Sequence, residues 1–135
     1  MRLAVRLSID TMRWINELEK IYNVEFGGLT LGQGHVVSKA YHLLSTSPEN
    51  LEDINWVKIK KEIIKISDMK IESLENNNTN GNVTSLNLSN ETIDGVKEMQ
   101  KFLPDKLGGK RVNVGYCIQL IVKAALLKNK GISIL

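Results

Sequence analysis

The sequence carries one pattern of apolar residues twice, 81 positions apart, and this repeat constrains the fold more than any other feature. The first copy begins with Leu3, Val5 and Leu7, whose alternation predicts a strand with one apolar face. The spacing then becomes helical, up to a glycine pair at 27 and 28, through the apolar positions Met12, Ile15, Leu18, Ile21 and Tyr22. A second apolar stripe predicts another helix. Gly32 and Gly34, near its start, either indicate a backbone that must lie close to something or simply mark a loop.

The second copy follows an asparagine-rich linker and repeats the same order of predicted elements. Leu86 and Leu88 alternate with polar residues, and a second glycine pair stands at 108 and 109. Between them lies a helical stripe made of Ile93, Val96, Met99, Phe102 and Leu103. Pro104 is expected to end or kink this helix, and Asn113 is a candidate cap for the last one. That last helix best matches the first copy at an offset of 84, which predicts about three extra residues in the second turn.

The repeat predicts two copies that share one core, because a strand with two helices cannot bury its own apolar face. We expect the two strands to pair antiparallel, with their apolar side toward four helices. The chain then divides into a first copy at 1–46, a connecting helix and linker at 47–80, and a second copy at 81–135. Ser47-Pro48 predicts the start of the connecting helix, while β-branched residues leave a strand open as an alternative near 57–66.

Composition narrows the class of protein. With 42% hydrophobic and 24% charged residues and no long apolar run, the chain is typical of a globular protein with no membrane partner. The single cysteine, Cys117, can form no internal disulfide, which favours a cytoplasmic location. We expect His35, His42 and Cys117 to be structural, and Trp14 and Trp56 to be packing residues or subunit contacts rather than ligand stackers. No catalytic or metal-binding arrangement is found, so we expect neither an enzyme nor a cofactor or metal.

The strand–helix–glycine turn–helix order, present twice, resembles the ribbon-helix-helix superfamily of DNA-binding proteins, which includes the Met and Arc repressors. The resemblance covers residues 1–46 and 81–130. It implies an α+β, mostly helical fold, namely a tandem ribbon-helix-helix pseudo-dimer with an intervening helix. The basic character of residues 81–135, within a net charge of +3, is compatible with a nucleic-acid partner.

In this family the two-stranded ribbon enters the DNA major groove, and its outer face reads base edges. The resemblance implies six base-reading residues: Arg2, Ala4, Arg6, Val83, Ser85 and Asn87. Family members also bind phosphates at the N-terminus of the second helix of each copy. The matching positions are Thr30, Leu31 and Gly32 in the first copy and Lys110, Arg111 and Asn113 in the second; Thr30 is also the expected N-cap of its helix. Because the two strands differ, the target need not be palindromic.

The implied function is sequence-specific binding of double-stranded DNA, with transcriptional repression as the expected role. The tandem copies are also similar to relaxosome proteins of conjugative plasmids, so an accessory role at a plasmid transfer origin or partition site is an alternative. An alternative of another class is an antitoxin-like or inhibitory protein-interaction module that docks through segment 47–75, with Trp56 on its surface. Cooperative self-association on DNA is expected from the family.

Overall fold

The computed structural model describes residues 2–25, 32–45, 53–62, 82–109 and 111–134. These residues form a mostly helical α+β structure with one two-stranded sheet. In chain order the elements are β1 (Arg2–Leu7), α1 (Ile9–Glu25), α2 (Gln33–Ser45), α3 (Trp56–Lys61), β2 (Asn82–Asn87), α4 (Asn90–Lys106) and α5 (Val114–Asn129). The predicted order of strand, helix and helix is therefore present in both copies.

The two strands pair antiparallel, as expected, and we call the β1–β2 pair the ribbon. Ala4 lies opposite Ser85, with Arg2 opposite Asn87 on one side of this pair and Arg6 opposite Val83 on the other. Ala4 and Ser85 are themselves 81 positions apart, so each is the repeat equivalent of the other. The register is consequently symmetric about this central pair, and the ribbon has pseudo-twofold symmetry.

The helices that follow the two strands begin in the same way. The Ser8 Oγ accepts a hydrogen bond from the Thr11 backbone N–H at 3.1 Å, and the Ser89 Oγ accepts one from the Thr92 N–H at 3.2 Å. In each pair the two hydroxyl oxygens are also hydrogen-bonded, at 2.8 Å and 2.7 Å. Both threonines are fully buried. Ser8 and Ser89 therefore cap the two helices, and each satisfies one of the free N–H groups of the first turn.

The second helices of the two copies keep the same offset, so the predicted insertion in the second turn is wrong. α2 begins at Gln33 and α5 begins at Val114, which again are 81 positions apart. The core residues Val36, Val37, Ala40 and Leu44 correspond at this offset to the buried residues Cys117, Ile118, Ile121 and Ala125. The offset of 84 predicted for this helix is wrong because every residue from 120 to 127 is buried. A helix buried on all sides has no one-sided apolar stripe by which to align it.

α5 is the centre of a single core. It packs against α1, α2, α3, α4 and β1, so it is covered on all sides rather than on one face. The apolar face of the ribbon closes one side of this core, with Leu7, Leu86 and Leu88 at most 1% exposed. Trp14 and Trp56 are 9% and 1% exposed, which confirms that both are packing residues.

The described part of the connecting segment is shorter than the long helix expected from the sequence. Asn55 caps α3, because its Oδ1 accepts a hydrogen bond from the Lys58 N–H at 3.1 Å, and the backbone is extended again at Glu62. A strand within residues 56–61 is therefore wrong, while Ser47-Pro48 and residues 63–81 lie outside the described residues. The C-terminal tail holds α3 in place: the Asn55 N–H donates to the Ile134 carbonyl at 2.7 Å.

Pro104 does not end α4 where the sequence predicted. The helix continues to Lys106, and the Leu107 N–H still donates to the Leu103 carbonyl at 2.9 Å. A proline this close to a helix end removes one N–H donor but leaves the following donors in place. The chain turns instead at Gly108 and Gly109, whose φ angles of 99° and 85° suit glycine.

Candidate nucleic-acid interface

The outer face of the ribbon is the candidate interface, and we call its six predicted base-reading positions the outer row. Ala4, Arg6, Ser85 and Asn87 have exposed side chains, whereas Val5, Leu7 and Leu86 point into the core. The register places Arg2 and Val83 in the same row, although their side chains lie outside the described part of the chain. The period of two along each strand thus separates the apolar face from the outer row.

The chemistry of the outer row differs between its two ends. One end carries the Arg2–Asn87 pair, the centre carries the small residues Ala4 and Ser85, and the other end carries Arg6 and Val83. Arg6 and Asn87 are repeat equivalents, so the pseudo-twofold axis relates a guanidinium to an amide. The row therefore has hydrogen-bonding groups at its two ends and small residues at its centre.

Two glycines bring helix N-termini against the two ends of the ribbon. A Cβ on Gly34, in the first turn of α2, would overlap the backbone of Asn87, and one on Gly115, in the first turn of α5, would overlap the Arg6 carbonyl oxygen. Gly34 and Gly115 are repeat equivalents, as are Asn87 and Arg6. The close approach inferred for Gly34 is confirmed. At Gly32 nothing in the described chain lies within 4 Å of an added Cβ.

The predicted phosphate-binding residues are only partly described. Gly32 is exposed and directly precedes α2, and Arg111 is exposed two residues before the cap of α5. Asn113 is that cap, because its Oδ1 accepts a hydrogen bond from the Tyr116 N–H at 2.8 Å. Thr30, Leu31 and Lys110 lie outside the described ranges, and α2 begins three residues beyond Thr30. The structure therefore brings Gly32, Arg111 and Asn113 to the starts of the two helices that flank the ribbon.

The first turn of α5 contributes no negative charge to this end of the ribbon. Burial raises the pKa of the Tyr116 phenol above its ordinary value, with a smaller contribution from Cys117. Burial likewise raises the pKa of the Cys117 thiol to about 12. Both groups are therefore protonated at neutral pH, and the partly exposed Tyr116 hydroxyl retains a hydrogen to donate.

A groove beside the Asn87 end of the ribbon was not predicted from the sequence. It encloses about 530 Å³ and is lined by His35, Ser38, Lys39, His42, Asn87, Leu88 and Ser89. His42 has a partner that its sequence neighbours do not supply: its Nδ1 lies 3.5 Å from the Glu91 Oε2. The sequence repeat could have indicated this groove, because symmetric pairing of the two strands places the β2–α4 junction against α2.

The docking surface considered for a protein-interaction module does not include Trp56, because this residue is buried. Trp56 is 1% exposed and packs in the core together with Ile54 and Ile59. Val57 is the large apolar residue of α3 that remains exposed, at 38%. The remainder of segment 47–75, apart from residues 53–62, lies outside the described chain.

Within the described residues, no group of three or more His, Cys, Asp and Glu side chains could hold a metal ion. No helix among these elements has the length and apolar character needed to cross a membrane. Comparison of the chain with protein-family models, with curated proteins and with solved structures finds no match.

Proposed function

We propose that this chain is a tandem ribbon-helix-helix protein that binds double-stranded DNA sequence-specifically and represses transcription where it binds. The observation that carries the proposal is the symmetric register of the ribbon about Ala4 and Ser85, together with the exposed outer row that this register creates. A ribbon formed from two equivalent strands, with one face in the core and the other in solvent, is the structural requirement of this binding mode.

The dimensions of the ribbon suit the major groove. Two paired strands lie about 5 Å apart, and six residues of strand extend roughly 20 Å. The major groove of B-DNA is about 12 Å wide and admits a two-stranded ribbon. The three cross-strand pairs of the outer row would then face several successive base pairs.

The side chains of the outer row have the chemistry of direct base recognition. An arginine such as Arg6 can donate two hydrogen bonds to the O6 and N7 atoms of guanine, and an asparagine such as Asn87 can bond adenine in the same way. Ser85 can donate or accept, while Ala4 and Val83 can contact a thymine methyl group. Since the two ends differ, we propose an asymmetric target.

The helix N-termini at the two ends of the ribbon support the same proposal. Gly34 and Gly115 hold the first turns of α2 and α5 against the strand ends, where their N–H groups would face the phosphates on either side of the groove. Such contacts position a protein on DNA but do not read sequence. Arg111 adds a positive charge on the α5 side, which would make the affinity depend on salt.

The test is selection of binding sites from a random duplex DNA library with the full chain, followed by affinity measurements for Arg6→Ala and Asn87→Ala. Each variant should lose about 1–3 kcal/mol on the selected site and relax specificity at one position. Because Arg6 and Asn87 are related by the pseudo-twofold axis, the two relaxed positions should lie at opposite ends of the motif, equally far from its centre.

Lys97→Ala is the matched control, since Lys97 is exposed on α4 two turns beyond the ribbon. It removes a positive charge without changing the outer row, so the selected motif should stay the same. Failure to enrich any motif, or retention of full specificity by both Arg6→Ala and Asn87→Ala, would refute the proposal.

A further inference from the structure

The groove beside the Asn87 end of the ribbon has one wall on α2 and the other at the β2–α4 junction. His35, Lys39 and His42 are four and three residues apart, so they form one stripe along α2. Asn87, Leu88 and Ser89 form the opposite wall. A volume of about 530 Å³ lies within the range of small-molecule sites.

Several polar groups of these walls can donate hydrogen bonds. The Ser38 Oγ accepts a hydrogen bond from the Ser89 N–H at 3.1 Å, and its own hydrogen has no partner among the described residues. Lys39 lines the groove, and its ammonium lies 5.2 Å from the centre of the Tyr22 ring of α1. One acidic side chain, Glu91, lies 3.5 Å from His42.

The equivalent place in the other half of the molecule is filled by the chain itself. Lys39 and His42 correspond at the offset of 81 to Leu120 and Lys123, which are 1% and 7% exposed. The Lys123 ammonium donates to the Lys60 carbonyl of α3 at 3.0 Å, so α3 covers this side. The open groove is therefore not imposed by the repeated fold, and its basic stripe is specific to the first copy.

We propose that this groove binds a phosphate group. A phosphate dianion accepts several charge-assisted hydrogen bonds at once, and the lysine, the two histidines and the Ser38 hydroxyl supply donors of that kind from one side. A bound metal cation does not suit the same stripe, because the Lys39 ammonium lies between the two histidines in sequence and would repel it. Leu88 offers an apolar surface for the rest of a phosphate-bearing molecule.

The phosphate has two chemical sources that fit: a small phosphomonoester, or a phosphate of DNA bound along the ribbon. Asn87 belongs both to the groove and to the outer row, so occupation of the groove would affect base reading. This regulatory consequence rests on the proposed function, whereas phosphate binding by the groove does not.

The first measurement is a titration of the isotope-labelled full chain with inorganic phosphate and with phenyl phosphate, followed by the backbone amide signals in NMR spectra at constant ionic strength. The signals of Ser38, His42 and Ser89 should shift saturably. Lys39→Gln and His42→Gln should each weaken binding roughly tenfold, which corresponds to the loss of one charge-assisted hydrogen bond.

Lys101→Gln is the matched control, because Lys101 is exposed on α4 and contacts Glu98 at 3.9 Å, away from the groove residues. It removes the same charge and should leave phosphate affinity unchanged. Equal weakening by Lys101→Gln, or shifts that do not saturate at the groove, would overturn the proposal. The spectrum of each variant shows directly whether it is folded.

The second measurement separates the two sources of phosphate with the selected duplex at fixed ionic strength. Weaker DNA binding by Lys39→Gln than by Lys101→Gln, without phenyl phosphate, would assign the groove to a backbone phosphate. Equal DNA binding by these two variants would assign it to a small phosphomonoester. If no DNA is bound at all, the proposed function fails, but the titration without DNA still decides whether the groove binds phosphate.

Discussion

Replacing Gly34 by alanine should destabilise this fold, which is the opposite of the usual effect of this substitution in a helix. Alanine normally gains up to about 1 kcal/mol over glycine there. In this protein the added Cβ would overlap the backbone N, C and O atoms of Asn87. Backbone atoms cannot rotate away as the end of a long side chain can, so α2 or the end of β2 must move. Overpacking costs about 1–3 kcal/mol, which leaves an expected net loss of up to about 2 kcal/mol.

The assay is urea unfolding followed by circular dichroism, with the free energy of unfolding compared between variants. Gly32→Ala is the internal control, because nothing lies within 4 Å of its added Cβ, and its effect should stay within about 0.5 kcal/mol. Gly115→Ala should be destabilising like Gly34→Ala, since its Cβ meets the Arg6 carbonyl oxygen at the other end of the ribbon. A Gly34→Ala protein as stable as the wild type, with an unchanged denaturant slope, would refute the close approach of α2 to the ribbon.

Two further predictions concern buried titratable groups. Burial raises the pKa of Cys117 from 9.0 to about 12, so its thiolate fraction near pH 8 falls roughly 1,000-fold. Iodoacetamide should therefore modify Cys117 in urea but not in the native protein, as measured by mass spectrometry. Rapid labelling of the native protein would contradict the burial of this thiol. The pKa of Lys123 is lowered by burial, against smaller opposing effects of Glu62 and Asp10. The unfolded chain then binds more protons than the folded chain. The free energy of unfolding of the wild type, relative to that of Lys123→Met, should therefore rise as the pH approaches the ordinary lysine value of 10.5. A difference that stays constant or falls between pH 8 and 10.5 would contradict this reasoning.

The two copies are built alike but packed differently at one pair of positions. Trp14 of α1 corresponds to Gly95 of α4, and Tyr41 of α2 corresponds to Val122 of α5. A Cβ on Gly95 would overlap the Tyr41 ring, so the glycine makes room for a large residue on the facing helix. In the other half the large residue is on the first helix instead, where the Lys123 ammonium lies 5.6 Å from the centre of the Trp14 ring. The large side chain therefore lies on the second helix of a copy in one half of the molecule and on the first helix of a copy in the other half.

The elements that could be predicted are those whose burial is one-sided. Leu3, Val5 and Leu7 alternate because one face of β1 meets the core, and the stripe of α1 recurs at helical spacing for the same reason. The outer row follows directly from this alternation once the strands are paired. α5 could not be aligned correctly, because burial on every side leaves no periodic contrast between faces.

Local chemistry and apolar periodicity were enough to determine the order of strand, helix and helix in each copy and the inward faces of the strands and of the helices that follow them, since these depend on neighbouring residues in the chain. Only the tertiary structure decided the register about Ala4 and Ser85, the burial of Trp56 and the open groove beside His35. Each of these depends on residues tens of positions apart, and on whether a segment such as α3 covers a given face. Such contacts depend on how the whole core packs, and this packing cannot be predicted from a local sequence pattern.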